Sequence, residues 1–205
     1  MKKTISLLSI AAVTMLMAFR PAADITPIAI GTAMPSAEKA MKDVVSDKDV
    51  TLAGQKGELG TLVIFSCNTC PYVISNESRI MDAIRVAKRL KFGVVIVNSN
   101  EGKRADEDSQ TAMAAYAKKQ GYNCAYVIDV NSEVADAFGA TRTPECFLFD
   151  KDSKLAYHGA IDDSPKDAKA AKENYLHTAM FAIQKGKAVE KSTTVSVGCT
   201  IKRKA

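Results

Sequence analysis

The 205-residue sequence predicts an α/β fold in which a mixed central sheet is flanked by helices. From residue 61 onward, apolar β-rich runs alternate with helical stripes, which is the pattern of strand–helix–strand units. The runs 146–149 and 154–158 are separated only by the turn-forming residues 150–153, so they predict a hairpin. A last helical stripe follows this hairpin. The combination predicts a sheet with both parallel and antiparallel strands.

The pattern can be assigned element by element. Strands are predicted at 61–66, 92–97, 124–129, 146–149 and 154–158. Helices are predicted at 71–90, 106–120, 132–138 and 167–185. Residues 24–60 contain one strand-like piece, 49–53, and are predicted to form an N-terminal extension that packs on a domain of residues 61–205. The charged run 101–108 is predicted to be a solvated loop and helix cap.

The first 23 residues have the order of a secretory signal peptide. Lys2 and Lys3 form a basic start, residues 5–19 are mostly apolar, and small residues follow at 21–23. About 15 apolar residues are too few for a stable membrane span, and an uncleaved N-terminal anchor is the alternative. The expected product is exported, periplasmic or extracytoplasmic, without stable membrane insertion after cleavage.

The charge of the chain argues against nucleic acid as a partner. Loss of residues 1–23 would remove three basic residues and no acid, which lowers the net charge from +5 to +2. Tyrosine and phenylalanine are also not interleaved with basic clusters, as they are in many nucleic-acid-binding surfaces.

The chain has five cysteines, and an odd number leaves at least one thiol unpaired within the chain. Cys67 and Cys70 stand two residues apart, where the predicted strand 61–66 meets the predicted helix 71–90. Free N–H groups and the helix dipole stabilise an anion at such a junction, so the pKa of Cys67 is predicted to fall below about 8.5. Cys70 would lie one turn later, within reach of a mixed disulfide at Cys67. The spacing therefore predicts a redox pair, with Cys67 attacking and Cys70 resolving.

Two other interpretations of the pair are weaker. Zinc usually takes four ligands in two close pairs, whereas Cys124 and Cys146 are 22 residues apart and the histidines are His158 and His177. No metal site is therefore predicted. A structural disulfide between Cys67 and Cys70 would close a very small loop and would stabilise the fold little.

Four motifs carry a resemblance to a known family: FSCNTCPYV (65–73), ATRTPE (140–145), YHGAIDD (157–163) and VGCTIK (197–202). Together they resemble the thioredoxin-superfamily redoxins of the CNxCPY type, which are described as thioredoxin-family or alkyl hydroperoxide reductase/thiol-specific antioxidant proteins. The similarity runs from about residue 28 to residue 204.

The resemblance implies a thioredoxin-like fold with a helix–strand–helix insertion. It also implies that Pro144 follows a cis peptide bond and faces the cysteine pair, and that the backbone of Thr143 binds a disulfide-bearing substrate. Cys199 matches the family's tail cysteine, which makes it a candidate accessory thiol; a free or buried cysteine is the alternative.

Two further activities within the same superfamily remain as alternatives. A thiol-dependent peroxidase of the peroxiredoxin kind uses Pro-x-x-x-Thr/Ser-x-x-Cys, but the corresponding positions before Cys67 are Gly60 and Ile64. A copper-binding module uses Cys-x-x-x-Cys-Pro with a distal histidine; Cys70 precedes a proline and His158 is available, but the cysteine spacing is one residue short.

The remaining cysteines, Glu145 and His158 are predicted to have structural rather than catalytic positions. Cys124 and Cys146 lie on or beside predicted buried strands and are interpreted as core residues, with a bridge between them left open. Glu145 is predicted to be a surface carboxylate, with proton relay to Cys70 as the alternative. His158 is predicted to be a strand-surface histidine.

The sequence thus predicts an exported thiol–disulfide oxidoreductase. Cys67 and Cys70 are the expected catalytic thiols, Thr143 and Pro144 the expected substrate platform, and Cys199 a possible accessory thiol. No bound cofactor is expected, since electrons would move through the cysteines. The expected partners are a protein thiol or disulfide substrate and a redox donor protein.

Overall fold

A mixed seven-stranded sheet lies at the centre of the part of the chain that the computed structural model describes, residues 25–204. The strands are β1 (Met41–Asp43), β2 (Lys48–Val50), β3 (Gly60–Ser66), β4 (Phe92–Asn98), β5 (Ala125–Ile128), β6 (Arg142–Thr143), β7 (Glu145–Phe149), β8 (Leu155–Gly159) and β9 (Cys199–Thr200). The helices are α1 (Pro71–Arg89), α2 (Gln110–Gln120), α3 (Glu133–Phe138) and α4 (Tyr175–Gln184).

The order of strands in the sheet is β2-β1-β5-β4-β3-β7-β8. The central strands β3, β4 and β5 are parallel, because a helix connects each to the next. Strands β7 and β8 form an antiparallel hairpin on one side, and β1 and β2 form another on the opposite side. β6 and β9 pair separately as a short two-stranded sheet. The predicted α/β fold with a mixed, helix-flanked sheet is confirmed, and its form is thioredoxin-like.

Strand β3 shows why the sheet is stable, because it is buried on both faces. Leu62 and Ile64 face the hydrophobic cluster that α1 and α4 cover. Val63 and Phe65 face a second cluster, which contains Phe138 of α3. The rings of Phe65 and Phe138 meet edge to face, with centroids 5.3 Å apart. The continuous apolar run that predicted this strand is therefore the consequence of its two covered faces.

Residues 41–50 extend the sheet beyond the strands that were expected. The strand-like piece 49–53 corresponds to β2, while β1 was not predicted because Met41-Lys42-Asp43 is short and polar. The Asp43 carboxylate accepts hydrogen bonds from the backbone N–H groups of Val45 (3.0 Å) and Tyr126 (2.9 Å). This ties the hairpin to β5. The division into an extension and a domain at residue 60 stays a prediction.

Two helices begin later than their apolar patterns suggest. α2 begins at Gln110 rather than residue 106, because the Ser109 hydroxyl accepts from the N–H of Ala112 and caps the helix. α4 begins at Tyr175 rather than residue 167, because the Asn174 side chain accepts from the N–H of His177 at 2.9 Å. Each capping residue lies directly before its helix.

The predicted signal peptide, residues 1–23, lies outside the described residues. Among the helices of residues 25–204, none combines the length and hydropathy needed to cross a membrane.

Candidate active site

Cys67 and Cys70 lie between the end of β3 and the start of α1. Cys67 directly follows Ser66, the last residue of β3, and Cys70 is the N-cap of α1, with Pro71 as the first helical residue. Both side chains are almost completely buried, with 2% and 5% of their surface exposed. They line a small cavity of about 160 Å³.

Thr143 contacts both thiols. Its hydroxyl Oγ1 lies 3.5 Å from the Cys67 sulfur, and its carbonyl oxygen lies 3.3 Å from the Cys70 sulfur. The peptide bond between Thr143 and Pro144 is cis. The structure thus brings together residues that are more than 70 positions apart in sequence and that the sequence analysis assigned to one site. Their individual roles stay predictions.

Cys67 and Cys70 line the same cavity and titrate as a pair. The neighbouring Cys67 thiol lowers the pKa of Cys70 to about 4, with help from the backbone N–H of Val73. The reciprocal effect of Cys70, burial and the negative charge of Asp108 raise the pKa of Cys67. The sequence placed the lowered pKa at Cys67 instead. The difference arises mainly because the neighbouring Cys67 thiol favours the thiolate at Cys70, and the N–H of Val73 in the first turn of α1 adds to this effect.

Thr143 favours the other position of the shared proton. Its carbonyl can only accept a hydrogen bond, which requires the proton on Cys70, while its hydroxyl can donate to a Cys67 thiolate. The mutual effect of the two thiols and the contacts with Thr143 favour different positions of the proton. Both are compatible with the same overall state, in which the pair carries one thiolate and one proton at neutral pH. The anion can therefore reside on either sulfur.

A buried carboxylate holds the loop between the cysteines. Asp108 is fully buried, and its Oδ1 accepts from the backbone N–H of Asn68 at 2.9 Å and from Asn98 Nδ2 at 2.7 Å. Its Oδ2 accepts from Asn100 Nδ2 at 2.9 Å. The prediction of a solvated loop for 101–108 is wrong at Asp108, because these donors replace water. The sequence signal for this buried polar cluster was the pair of amides Asn98 and Asn100 at the carboxyl end of an apolar strand.

Glu145 holds the backbone of the Thr143 turn. It is 2% exposed, and its Oε2 accepts from the N–H groups of Thr141 and Arg142, both at 2.8 Å. Its Oε1 lies 2.6 Å from Nε2 of His158, which is also buried. The surface positions predicted for Glu145 and His158 are therefore wrong. Sequence could not show this, because a charged residue is buried only where the fold supplies partners for it.

Cys199 lies at the same cavity as the cysteine pair. It belongs to β9, which pairs with β6 so that Cys199 is opposite Thr143. The C-terminal segment therefore reaches the site that Cys67, Cys70 and Thr143 form.

Cys124 and Cys146 lie elsewhere, and the open question of a bridge between them is settled by the strand order. Cys146 is in β7 and Cys124 directly precedes β5, and both β3 and β4 lie between these strands. Three strand spacings amount to about 14 Å, twice the largest Cα separation of about 7 Å that a disulfide spans. Burial raises the pKa of Cys124 to about 12 and also raises that of Cys146. Both side chains therefore stay protonated at neutral pH, Cys146 fully buried and Cys124 partly buried.

Residues 25–204 contain no group of three or more His, Cys, Asp and Glu side chains that could hold a metal ion. The histidine considered for copper, His158, is instead bonded to Glu145.

The fold and the paired thiols define a redoxin of the thioredoxin superfamily. A family model described as Redoxin matches residues 29–175, so the chain belongs to the redoxin family. A search of the curated proteins found no match.

Solved structures give the same fold. An uncharacterized conserved protein of Geobacillus kaustophilus is 30% identical with a TM-score of 0.79, covering 86% of this chain and 93% of that one. A hypothetical protein of Sinorhizobium meliloti is 32% identical, also with a TM-score of 0.79, covering 87% and 96%. The thioredoxin domain of a thiol-disulfide oxidoreductase of Bacteroides vulgatus is 18% identical with a TM-score of 0.51, covering 64% and 88%, and supports the fold alone.

The shared proton predicts how the reduced protein titrates. The pair is expected to lose one proton near the pKa of about 4 given for Cys70, while the raised pKa of Cys67 keeps the second proton bound through neutral pH. Thiolate absorbance in the ultraviolet, followed from acid to neutral pH, should rise by about one thiolate per chain. Cys70→Ser should remove this step, whereas the control Cys124→Ser should retain it. Two thiolates at neutral pH, or none, would contradict the shared proton.

The contacts of Glu145 predict the effect of removing its charge. Glu145→Gln replaces with a neutral amide the carboxylate that now contacts two backbone N–H groups and the His158 imidazole. Because these contacts are weakened or lost, we expect the free energy of unfolding to fall by about 1–3 kcal/mol. Denaturant unfolding measures it. Glu58→Gln is the matched control, since Glu58 pairs only with Lys91 at the surface, and its change should stay within about 0.5 kcal/mol. Equal effects of the two variants would show that Glu145 does not hold the turn.

Proposed function

We propose that this redoxin is an exported thiol–disulfide oxidoreductase that acts through Cys67 and Cys70. The observation that carries the proposal is the contact of both thiols with Thr143. A dithiol with one lowered pKa provides a thiolate at neutral pH, and its second thiol lines the same cavity. Thr143 and Pro144 form the platform for the substrate.

The reaction consists of two exchanges in which electrons balance. The Cys67 thiolate attacks one sulfur of a substrate disulfide, forming a mixed disulfide and releasing the other substrate sulfur as a thiolate. Cys70 then attacks the Cys67 sulfur, which closes the Cys67–Cys70 disulfide and releases the second substrate thiol. The substrate gains two electrons and the pair loses two. A redox donor protein reduces the pair again by the reverse steps, and no bound cofactor takes part.

The Thr143 hydroxyl supports the assignment of the attacking sulfur to Cys67. It can donate to the Cys67 thiolate before attack, while the Thr143 carbonyl accepts the Cys70 proton. Export is proposed from the order of the first 23 residues, and an extracytoplasmic compartment is one in which protein disulfides are available as substrates.

The proposal predicts the activities of matched serine variants. Cys67→Ser is expected to lose the reduction of insulin disulfides, down to the rate of the dithiol donor without protein, because a serine hydroxyl does not replace the attacking thiolate. Cys70→Ser should stop after one mixed disulfide per chain. The control Cys124→Ser should keep the full rate. Insulin turbidity and non-reducing gels measure these outcomes.

A Cys67→Ser variant that reduces insulin at the full rate would refute the assignment. Consumption of hydrogen peroxide with a thiol donor, by a protein that leaves insulin intact, would establish the peroxidase alternative in its place.

A further inference from the structure

The C-terminal segment occupies the backbone edge assigned to the substrate. β9 runs antiparallel to β6, with Cys199 opposite Thr143 and Thr200 opposite Arg142. In the proposed function, the backbone of Thr143 binds a disulfide-bearing partner. The chain thus presents one of its own cysteines where that function places a partner's cysteine.

Contacts of the residues that follow Cys199 fix this position. The N–H of Ile201 donates to the carbonyl of Thr141 at 3.0 Å, and the Ile201 side chain is buried. The N–H of Lys202 donates to Asn100 Oδ1 at 2.8 Å. Asn100 also bonds to Asp108, which holds the loop between Cys67 and Cys70. The segment is therefore anchored to the same polar network as the cysteine pair.

Gly198 allows the segment to approach this closely. A Cβ atom at this position would lie 2.2 Å from the carbonyl oxygen of Thr143, closer than any real contact. Cys199 follows directly, lines the same 160 Å³ cavity as Cys67 and Cys70, and is only half-buried. Burial and the neighbouring Cys70 raise the pKa of Cys199.

We propose that Cys199 is a third redox thiol and that residues 197–202 are an internal thiol substrate of the Cys67–Cys70 disulfide. The proposal rests on the proposed function. After the pair is oxidised, Cys199 releases its thiol proton to solvent and the resulting thiolate attacks the Cys70 sulfur. A Cys70–Cys199 bond forms, the Cys67–Cys70 bond breaks, and the electron pair of the broken bond leaves with Cys67 as a thiolate. One disulfide is present before and after the step, so no external oxidant or reductant is required.

Two consequences follow for the oxidised protein. Its single disulfide exchanges between Cys67–Cys70 and Cys70–Cys199, and the second arrangement releases Cys67 as a thiolate. The segment also competes with an external protein for the backbone of Thr143, so an oxidised chain locked by Cys70–Cys199 would keep that backbone covered.

Disulfide mapping of the full chain tests the proposal. Trypsin leaves Cys67 and Cys70 in one peptide, 57–79, and Cys199 in another, 192–202. After oxidation with diamide at low protein concentration, the Cys67→Ser variant is expected to give a monomer in which these peptides are joined. Cys67→Ser with Cys199→Ser should lose the joined peptides, and Cys67→Ser with Cys124→Ser, the matched control, should keep them. Oxidised wild-type protein should contain both the joined peptides and the Cys67–Cys70 form.

The results separate this proposal from the proposed function. A monomer without joined peptides, in the wild type and in Cys67→Ser alike, would overturn the role of Cys199, even if insulin is reduced through Cys67 and Cys70. Joined peptides found only in a covalent dimer would overturn it as well. Joined peptides in a wild-type monomer that does not reduce insulin would support the third thiol and refute the oxidoreductase.

Discussion

The contact of Thr143 with two buried thiols is the interaction on which the rest of the site depends. The Thr143 hydroxyl and carbonyl meet different sulfurs, and this arrangement favours one thiolate and one shared proton in the pair. Neither side of the contact is held by apolar packing alone. The buried carboxylate of Asp108 fixes the backbone at Asn68, and that of Glu145 fixes the backbone just before Thr143. Each carboxylate accepts several hydrogen bonds, which is what makes its burial tolerable.

The short sheet of β6 and β9 brings a third cysteine, Cys199, to the site. Because β6 contains Thr143, the chain that pairs with it is placed next to the cysteine pair, and here that chain is the C-terminal segment itself. Under the proposed function, access of an external protein to Thr143 and the redox state of Cys199 are therefore coupled. A partner that displaces β9 also removes Cys199 from Cys70, whereas a Cys70–Cys199 bond keeps β9 in place.

Much of the fold could be predicted from the sequence, because a strand covered on both faces, such as β3, is a continuous apolar run. The spacing of Cys67 and Cys70 likewise predicted the pair that the structure places beside Thr143. The strand β1 escaped prediction, since three residues carry too little pattern. Burial of Asp108 and Glu145 could not be predicted either, because it depends on donors that come from distant segments. The lowered pKa was expected at Cys67, but the Cys67 thiol and the N–H of Val73 favour the thiolate at Cys70 instead.

The most direct test of the central claim is the equilibrium of the reduced protein with glutathione buffers of graded ratio, followed by alkylation of free thiols and mapping of residues 57–79. We expect Cys70 to become unreactive in one reversible two-electron transition within the range of about −270 to −120 mV found for this chemistry, with Cys67 and Cys199 sharing the position of its disulfide partner. Cys124 should stay a thiol throughout and serves as the internal reference. Cys67 and Cys70 that remain alkylatable at every glutathione ratio would contradict a redox-active pair.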